Sequence, residues 1–122
     1  MGTIKSFEEF KVWKTARDVT RNIYRLTKGN AFACDFALRD QIRRASISIM
    51  SNIAEGYESQ TRNVFIRHLG IAKGSAGEVR SQLQVALDQK YITEAEFKAA
   101  DRLCRSSSRQ IFGFMQYLKN LR

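Results

Sequence analysis

The sequence predicts an all-α fold, an antiparallel up-down-up-down four-helix bundle forming one domain over residues 1–122. Three observations carry this. Apolar residues recur at alternating spacings of four and three through most of the chain. Capping residues punctuate the rhythm at Ser6, Asp35, Thr61 and Thr93. No alternating strand pattern is present, and the chain has no proline. Helices of roughly 22 to 30 residues would be about 33 to 45 Å long, and the short links between them favour antiparallel neighbours.

The first helix is predicted to start at a capping box, Ser6 with Glu9 three residues on, and to run to about Lys28, where Gly29 and Asn30 stop it. Its seam is Val12, Ala16, Val19, Ile23 and Leu26, with a second seam of Phe10, Trp13, Thr20 and Tyr24 beside it. Asp35 caps the second helix, whose seam is Leu38, Ile42, Ala45, Ile49, Asn52 and Gly56. Thr61 caps the third, with Phe65, Leu69, Ala72, Ala76, Val79, Leu83 and Ala86 in strict rhythm. Thr93 and Glu96 form a second capping box for the fourth helix. Its seam is Phe97, Ala100, Cys104, Ser107, Ile111, Phe114, Leu118 and Leu121, so the last two helices should pack along most of their length.

Gly70, Gly74 and Gly77 fall within eight residues of the third helix. Glycine costs a helix interior about 1 kcal/mol relative to alanine, and close approach of a neighbouring helix is the expected compensation. Bulky side chains also lie off the main seams: Phe7, Trp13, Tyr24, Ile47, Ile53, Ile66, Leu87, Leu103, Phe112 and Met115. One bundle buries one stripe per helix, so this surplus predicts self-association.

Lysine and arginine number 21 against 12 acids, a net charge of +9 that favours polyanionic partners, RNA or DNA first. The first helix carries Lys14, Arg17, Arg21, Arg25 and Lys28 along one side, and the fourth carries Lys98, Arg102, Arg105 and Arg109. Beyond Asp18 the first row has no acid on its helix, and beyond Asp101 the last helix, out to Lys119 and Arg122, has none. A face built for solubility would interleave both signs. Arginine outnumbers lysine, 13 to 8, and its planar fork suits phosphate. The alternative is a structural or adaptor protein that binds another protein, such as a polymerase, without touching nucleic acid.

The residues for enzymatic chemistry are sparse, so the chain is expected not to be an enzyme and to need no cofactor or metal. His68 is the only histidine, and Arg67 and Lys73 nearby argue against a metal site. Cys34 and Cys104 lack metal or redox spacing and are expected to be free thiols in or near the core. Ser51, Asn52 and Glu55 share a helical face and are the best candidates for a functional polar cluster; they are expected to be structural, satisfying the backbone near the turn after the second helix or knitting one subunit to the next, with ligand binding as the alternative. Arg43 or Arg44 is expected to pair with Glu78 if the two middle helices fold back near Ser59. No apolar run approaches the ~18 residues of a membrane span and no apolar leader precedes the first helix, which predicts a cytoplasmic protein. Met1, Gly2 and Ser6 fit a myristoylation spacing, but Ser6 is read as a cap.

Several motifs occur in a telling order: Phe7, Glu8, Glu9, Phe10, Lys11, Val12, Trp13; then Gln41, Ile42, Arg43, Arg44, Ala45; then Ser51, Asn52, Ile53, Ala54, Glu55, Gly56; then Gly74 and Ser75. Together they resemble the small bacterial four helix bundle protein family, also called the S23 or 23S rRNA intervening-sequence protein family. The resemblance implies a ring-like homo-oligomer, a homopentamer. It also implies kinship with proteins encoded inside rRNA intervening sequences and with accessory proteins of diversity-generating retroelements. The family usually has proline before the Ser-Asn-Ile-Ala-Glu-Gly run, where this chain has Met50, so the second helix is expected to be straighter.

Overall fold

The apolar rhythm is realised as four long helices and one short one: α1 (Lys11–Thr27), α2 (Asn30–Cys34), α3 (Phe36–Glu58), α4 (Arg62–Asp88) and α5 (Glu94–Lys119). The structure, a computed structural model, describes residues 4–121 and omits the Asn30 side chain. Met1, Gly2 and Arg122 lie outside the described residues.

The long helices pack as a square in which α1 and α4 each lie against both α3 and α5. Neighbours run antiparallel, because residue numbers rise on one helix as they fall on the next. Along α3 and α4, Ser48 meets Ser75, Asn52 meets His68 and Gly56 meets Phe65. Along α4 and α5, Arg80 meets Asp101, Gly70 meets Met115 and Arg62 meets the Leu121 carbonyl. Thr20 reaches the Ser46 carbonyl and Thr27 reaches Arg43 between α1 and α3.

Element ends follow the caps at two of four sites. Asp35 accepts from the Leu38 backbone N–H at 3.2 Å. Thr93 and Glu96 form the reciprocal box, at 3.1 and 2.9 Å. At the N-terminus the Glu9 carboxylate does reach back to the Ser6 N–H, but it closes a 3₁₀ turn over Phe7–Glu9, and α1 begins only at Lys11. Phe10 is extended there, which aims its ring into a cluster with Tyr57, Phe65 and Phe114 at 5.1 to 6.1 Å. Burying that ring outweighs one more turn of helix. Thr61 holds the N-cap position of α4 without capping it; its hydroxyl donates to the Ser59 carbonyl.

Gly29 does not lead into a plain loop, because it caps α2. That short helix inserts Phe32, fully buried, against Tyr91 with ring centroids 5.3 Å apart. The Tyr91 hydroxyl donates to Asp35 at 3.0 Å, a bond to a carboxylate that pushes the phenol's pKa up. Asp35 thereby caps α3 and anchors the α4–α5 link at once.

The predicted seam of α4 is buried throughout; that of α5 is buried at Ala100, Cys104, Ser107, Ile111 and Leu118, partly buried at Phe97 and Phe114, and exposed at Leu121, which lies beyond the helix. In α3 the seam shifts: Ser46 and Ile53 are fully buried, while Leu38 is half-buried and Asn52 sits at the edge, half-buried toward α4. Phe10 and Ile53 therefore belong to the core and not to a surplus face. α3 itself is continuous from Phe36 to Glu58.

The close-packing glycine is Gly56. A Cβ there would lie 2.8 Å from the Phe65 ring, 2.9 Å from the His68 Cβ and 3.2 Å from the Phe65 Cα. Gly74 and Gly77 meet nothing within 4 Å and are exposed, while Gly70 has only Met115 at 3.6 Å, an ordinary contact. The glycines of α4 thus do not admit a neighbouring helix within the subunit, because they fall on the side of α4 turned away from its buried seam.

Asp101 on α5 bridges to α4, accepting from Arg80 Nε at 3.0 Å and from Arg105 Nε at 2.7 Å. Burial alone would raise the pKa of this carboxyl, but the hydrogen bonds from Arg105 and Arg80 outweigh it and hold it below the usual range.

Two predictions follow from this packing. Gly56→Ala should destabilise by about 1 to 3 kcal/mol through overpacking, whereas Gly74→Ala should stabilise by roughly 0.5 to 1 kcal/mol through helix propensity; urea midpoints check both signs. Because Asp101 has a depressed folded-state pKa, its contribution is full above the unfolded value of about 3.9 and disappears as pH falls through the folded value. Asp101→Asn should therefore cost roughly 1 kcal/mol at pH 7 and progressively less as pH falls below 4, read from urea midpoints across that range.

Candidate nucleic-acid interface

All nine basic residues of the two rows are exposed. At 100° per residue each row lies opposite its own helix's buried seam, so the two rows point outward from different corners of the square. They are two surfaces and not one.

The α1 row is mixed in sign over its first half. Lys14, Arg17 and Arg21 border a groove of about 540 Å³ that also holds Glu8 and Asp18. Arg17 lies over the Trp13 ring at 5.9 Å, and Trp13 packs edge-on against Phe7 at 5.4 Å. Arg25 borders a second hollow at the end of the bundle with Lys90 and Glu96. Lys28, one residue past α1, is exposed.

The α5 row is completed by residues outside it. Arg105 and Arg109 line a groove of about 620 Å³ together with Lys73 and Arg80 of α4. Ser108 and Phe112 complete its α5 wall. Lys98 and Arg102 are outside this groove, nearer the start of α5. Arg80 and Arg105 are each held by Asp101 through Nε, which leaves their terminal guanidinium nitrogens without a protein partner among the described residues. Lys73 and Arg80 were missed from sequence because they fall on the flank of α4 and not in a row. Their signal is the seven-residue spacing, two turns on one face, combined with an antiparallel register that sets Arg80 opposite Asp101.

The polar cluster divides. Asn52 lies between α3 and α4, donating to the Ser48 carbonyl at 2.9 Å and the Ser48 hydroxyl at 3.0 Å. With its amide so oriented, Asn52 Oδ1 accepts from His68 Nδ1 at 2.9 Å, which fixes the proton on Nδ1. Ser48 continues to Ser75 at 2.9 Å. His68 thus ties α4 to α3 through Asn52. Ser51 and Glu55 are exposed and take no part.

Neither expected pairing of Glu78 forms. The antiparallel register does put residues near 43 at its height on α3, but Arg43 turns to the opposite flank. There its Nε donates to Thr27 at 2.8 Å and its guanidinium covers Tyr24 at 4.5 Å. Arg44 points outward, and the Glu78 carboxylate accepts from Gln82 at 3.2 Å.

Cys104 is buried and Cys34 exposed, so only the first matches the expected core thiol. Burial pushes the Cys104 thiol up to about 12, which keeps it protonated at neutral pH. Among the described residues no three of His, Cys, Asp or Glu converge as a metal site, and no helix is long and apolar enough to cross a membrane.

Comparison with known proteins agrees with this architecture. No curated protein matches the chain. A solved structure does: a crystal structure at 1.70 Å of a protein of unknown function from the S23 ribosomal protein family of Bacteroides thetaiotaomicron VPI-5482. It superposes with a TM-score of 0.78 at 23% identity, covering 86% of this chain and 95% of that one, a likeness of fold. The family model for the 23S rRNA-intervening sequence protein matches residues 8–113. With that match spanning most of the bundle, the chain belongs to the 23S rRNA intervening-sequence protein family.

Proposed function

We propose that this protein is a non-enzymatic, oligomeric scaffold of the cytoplasm that binds RNA or DNA through its phosphates. The observation that carries the reading is the α4–α5 groove, lined among the described residues by four cations and no acid, with Asp101 behind it engaged by Arg80 and Arg105. Phosphate contacts of this kind give affinity with little sequence readout. Repetition of the groove around an assembly would raise affinity through effective concentration. The family's name, which links relatives to 23S rRNA intervening sequences, is consistent with RNA nearby.

Assembly rests on apolar side chains that the subunit leaves uncovered. On the outer side of α4, Ile71 is 47% and Val85 44% exposed, flanking the open Gly74 and Gly77. A second copy covering such a face would supply the close neighbour those glycines lack, and the family resemblance implies a homopentamer. The exposed Phe36, at 64%, favours a second reading, in which the outer surface docks a different protein.

Light scattering at micromolar concentration should report a mass several times the 14.0 kDa subunit, and a 14 kDa species would overturn the assembly. Paired Arg105→Glu and Arg109→Glu substitutions should leave helix content unchanged yet sharply lower affinity for mixed-sequence RNA or DNA. The log–log salt slope should become shallower by about 1 to 2, since each lost phosphate contact removes ~0.7 to 0.9. Arg21→Glu with Arg25→Glu tests the α1 surface in the same way. Wild-type protein that binds no nucleic acid at low salt would favour the protein-docking reading.

A further inference from the structure

The α4–α5 groove contains one side chain that phosphate binding does not need. Phe112 is 52% exposed and borders the same cavity as Lys73, Arg80, Arg105 and Arg109. An exposed phenyl ring has no hydrogen bond to make, and among the described residues no guanidinium covers it as Arg17 covers Trp13. A partner that brings an apolar or π face together with negative charge would engage the ring and the surrounding cations at once. Inorganic phosphate has no such face, and a duplex keeps its base faces inside its own stack. An unpaired nucleotide presents both.

We infer that this groove takes an unpaired stretch of RNA or DNA, with a base stacked on Phe112 and the flanking phosphates held by Lys73, Arg80 and Arg109. The inference rests on the nucleic-acid reading above and narrows it to single strands. The groove, about 620 Å³, is open to solvent and not an enclosed pocket. Lys73 and Arg80 are two helical turns apart, about 10 Å along α4, so the wall spans more than one phosphate. Asp101 sets the orientation of the guanidinium groups: by gripping Arg80 and Arg105 at Nε it leaves their outer edges free for phosphate oxygens. Ser108 adds a hydroxyl in the α5 wall. The groove is unobstructed at Gly113, which lines it and where an added Cβ would meet nothing within 4 Å. Base stacking on an aromatic ring tolerates any sequence, which suits a surface with no evident readout of base edges.

The test is fluorescence anisotropy with a labelled mixed-sequence 12-mer as single-stranded RNA, as single-stranded DNA and as a blunt duplex, at one salt concentration and then across a salt series. Both single strands should bind more tightly than the duplex. Phe112→Ala should weaken single-strand binding roughly 5- to 100-fold while leaving the salt slope unchanged, because no phosphate contact is removed. Phe112→Trp should retain affinity. Gly113→Leu, whose Cβ has open space and whose helix propensity is better, should obstruct the groove while urea midpoints show no loss of stability. Equal binding of duplex and single strand, indifferent to Phe112→Ala and Gly113→Leu, would overturn this inference and leave phosphate binding standing. Absence of any salt-dependent nucleic-acid binding would instead overturn the broader reading and this one with it. Phe112-dependent binding of a poly-glutamate peptide in preference to RNA would reassign the groove to an acidic protein partner.

Discussion

The buried seam of α4 is the surface against which both α3 and α5 pack, and these two helices in turn hold α1. From Phe65 to Ala86 its core positions are almost wholly inaccessible, and three of the seven are alanines. Small side chains at a helix contact shorten the distance between axes. That closeness brings the backbone of α3 onto Phe65 and His68, where only Gly56 fits, and lets the hydroxyls of Ser48 and Ser75 meet directly. On its other flank α4 packs against α5 closely enough for Arg80 to reach Asp101. The rigid spacing between these two helices is what gives the cationic groove fixed walls.

Polar groups between the helices then fix which residues meet. An apolar seam with a regular repeat tolerates sliding, since each turn resembles the next. The Asn52–His68 pair, the Ser48–Ser75 pair and the Arg43–Thr27 bond each match at one register only. Burying such groups in a mismatched register would leave donors and acceptors unpaired, at a cost of about 1 to 3 kcal/mol for each group. Three separate pairs make a one-turn slip between α3 and its neighbours improbable on energetic grounds. This also explains why a stretch rich in serine and asparagine occupies the middle of a core helix.

Much of this architecture was legible in the sequence because helix periodicity is strong over long segments. The seams of α4 and α5, the Asp35 cap and the Thr93–Glu96 box all follow from spacing alone. What escaped prediction depended on direction and not on spacing. Ile53 and Asn52 are adjacent, and which of them faces the core is decided by the packing of α4. Arg43 sits at the right height for Glu78 but on the wrong flank of α3. The helix α2 is five residues long, too short to show a period. Two helix ends were obscured for another reason: the left-handed positions after α3 and α4 are taken by Gln60 and Lys90, with φ of 57° and 62°, where glycine would have marked them. Within the candidate site, Arg105 and Arg109 were readable as a row, whereas Lys73, Arg80 and Phe112 join them only through the pairing of α4 with α5.

The same distinction bears on how a positively charged surface becomes a site. Exposed cations in a row on one helix remain separate and solvated, and the α1 row is further diluted by Glu8 and Asp18. Between α4 and α5 the situation differs, because cations from two helices face a common space and one buried-side carboxylate orients two of them. That carboxylate reduces the net charge by one unit, yet it also removes part of the conformational entropy that long arginine side chains lose on binding. A lysine at position 80 or 105 could supply the charge but not the geometry, since only a guanidinium can be held at Nε and still present two free nitrogens. Preorganisation of this kind ties the groove's binding capacity to the stability of the α4–α5 pair, so the fold and the site depend on the same contact.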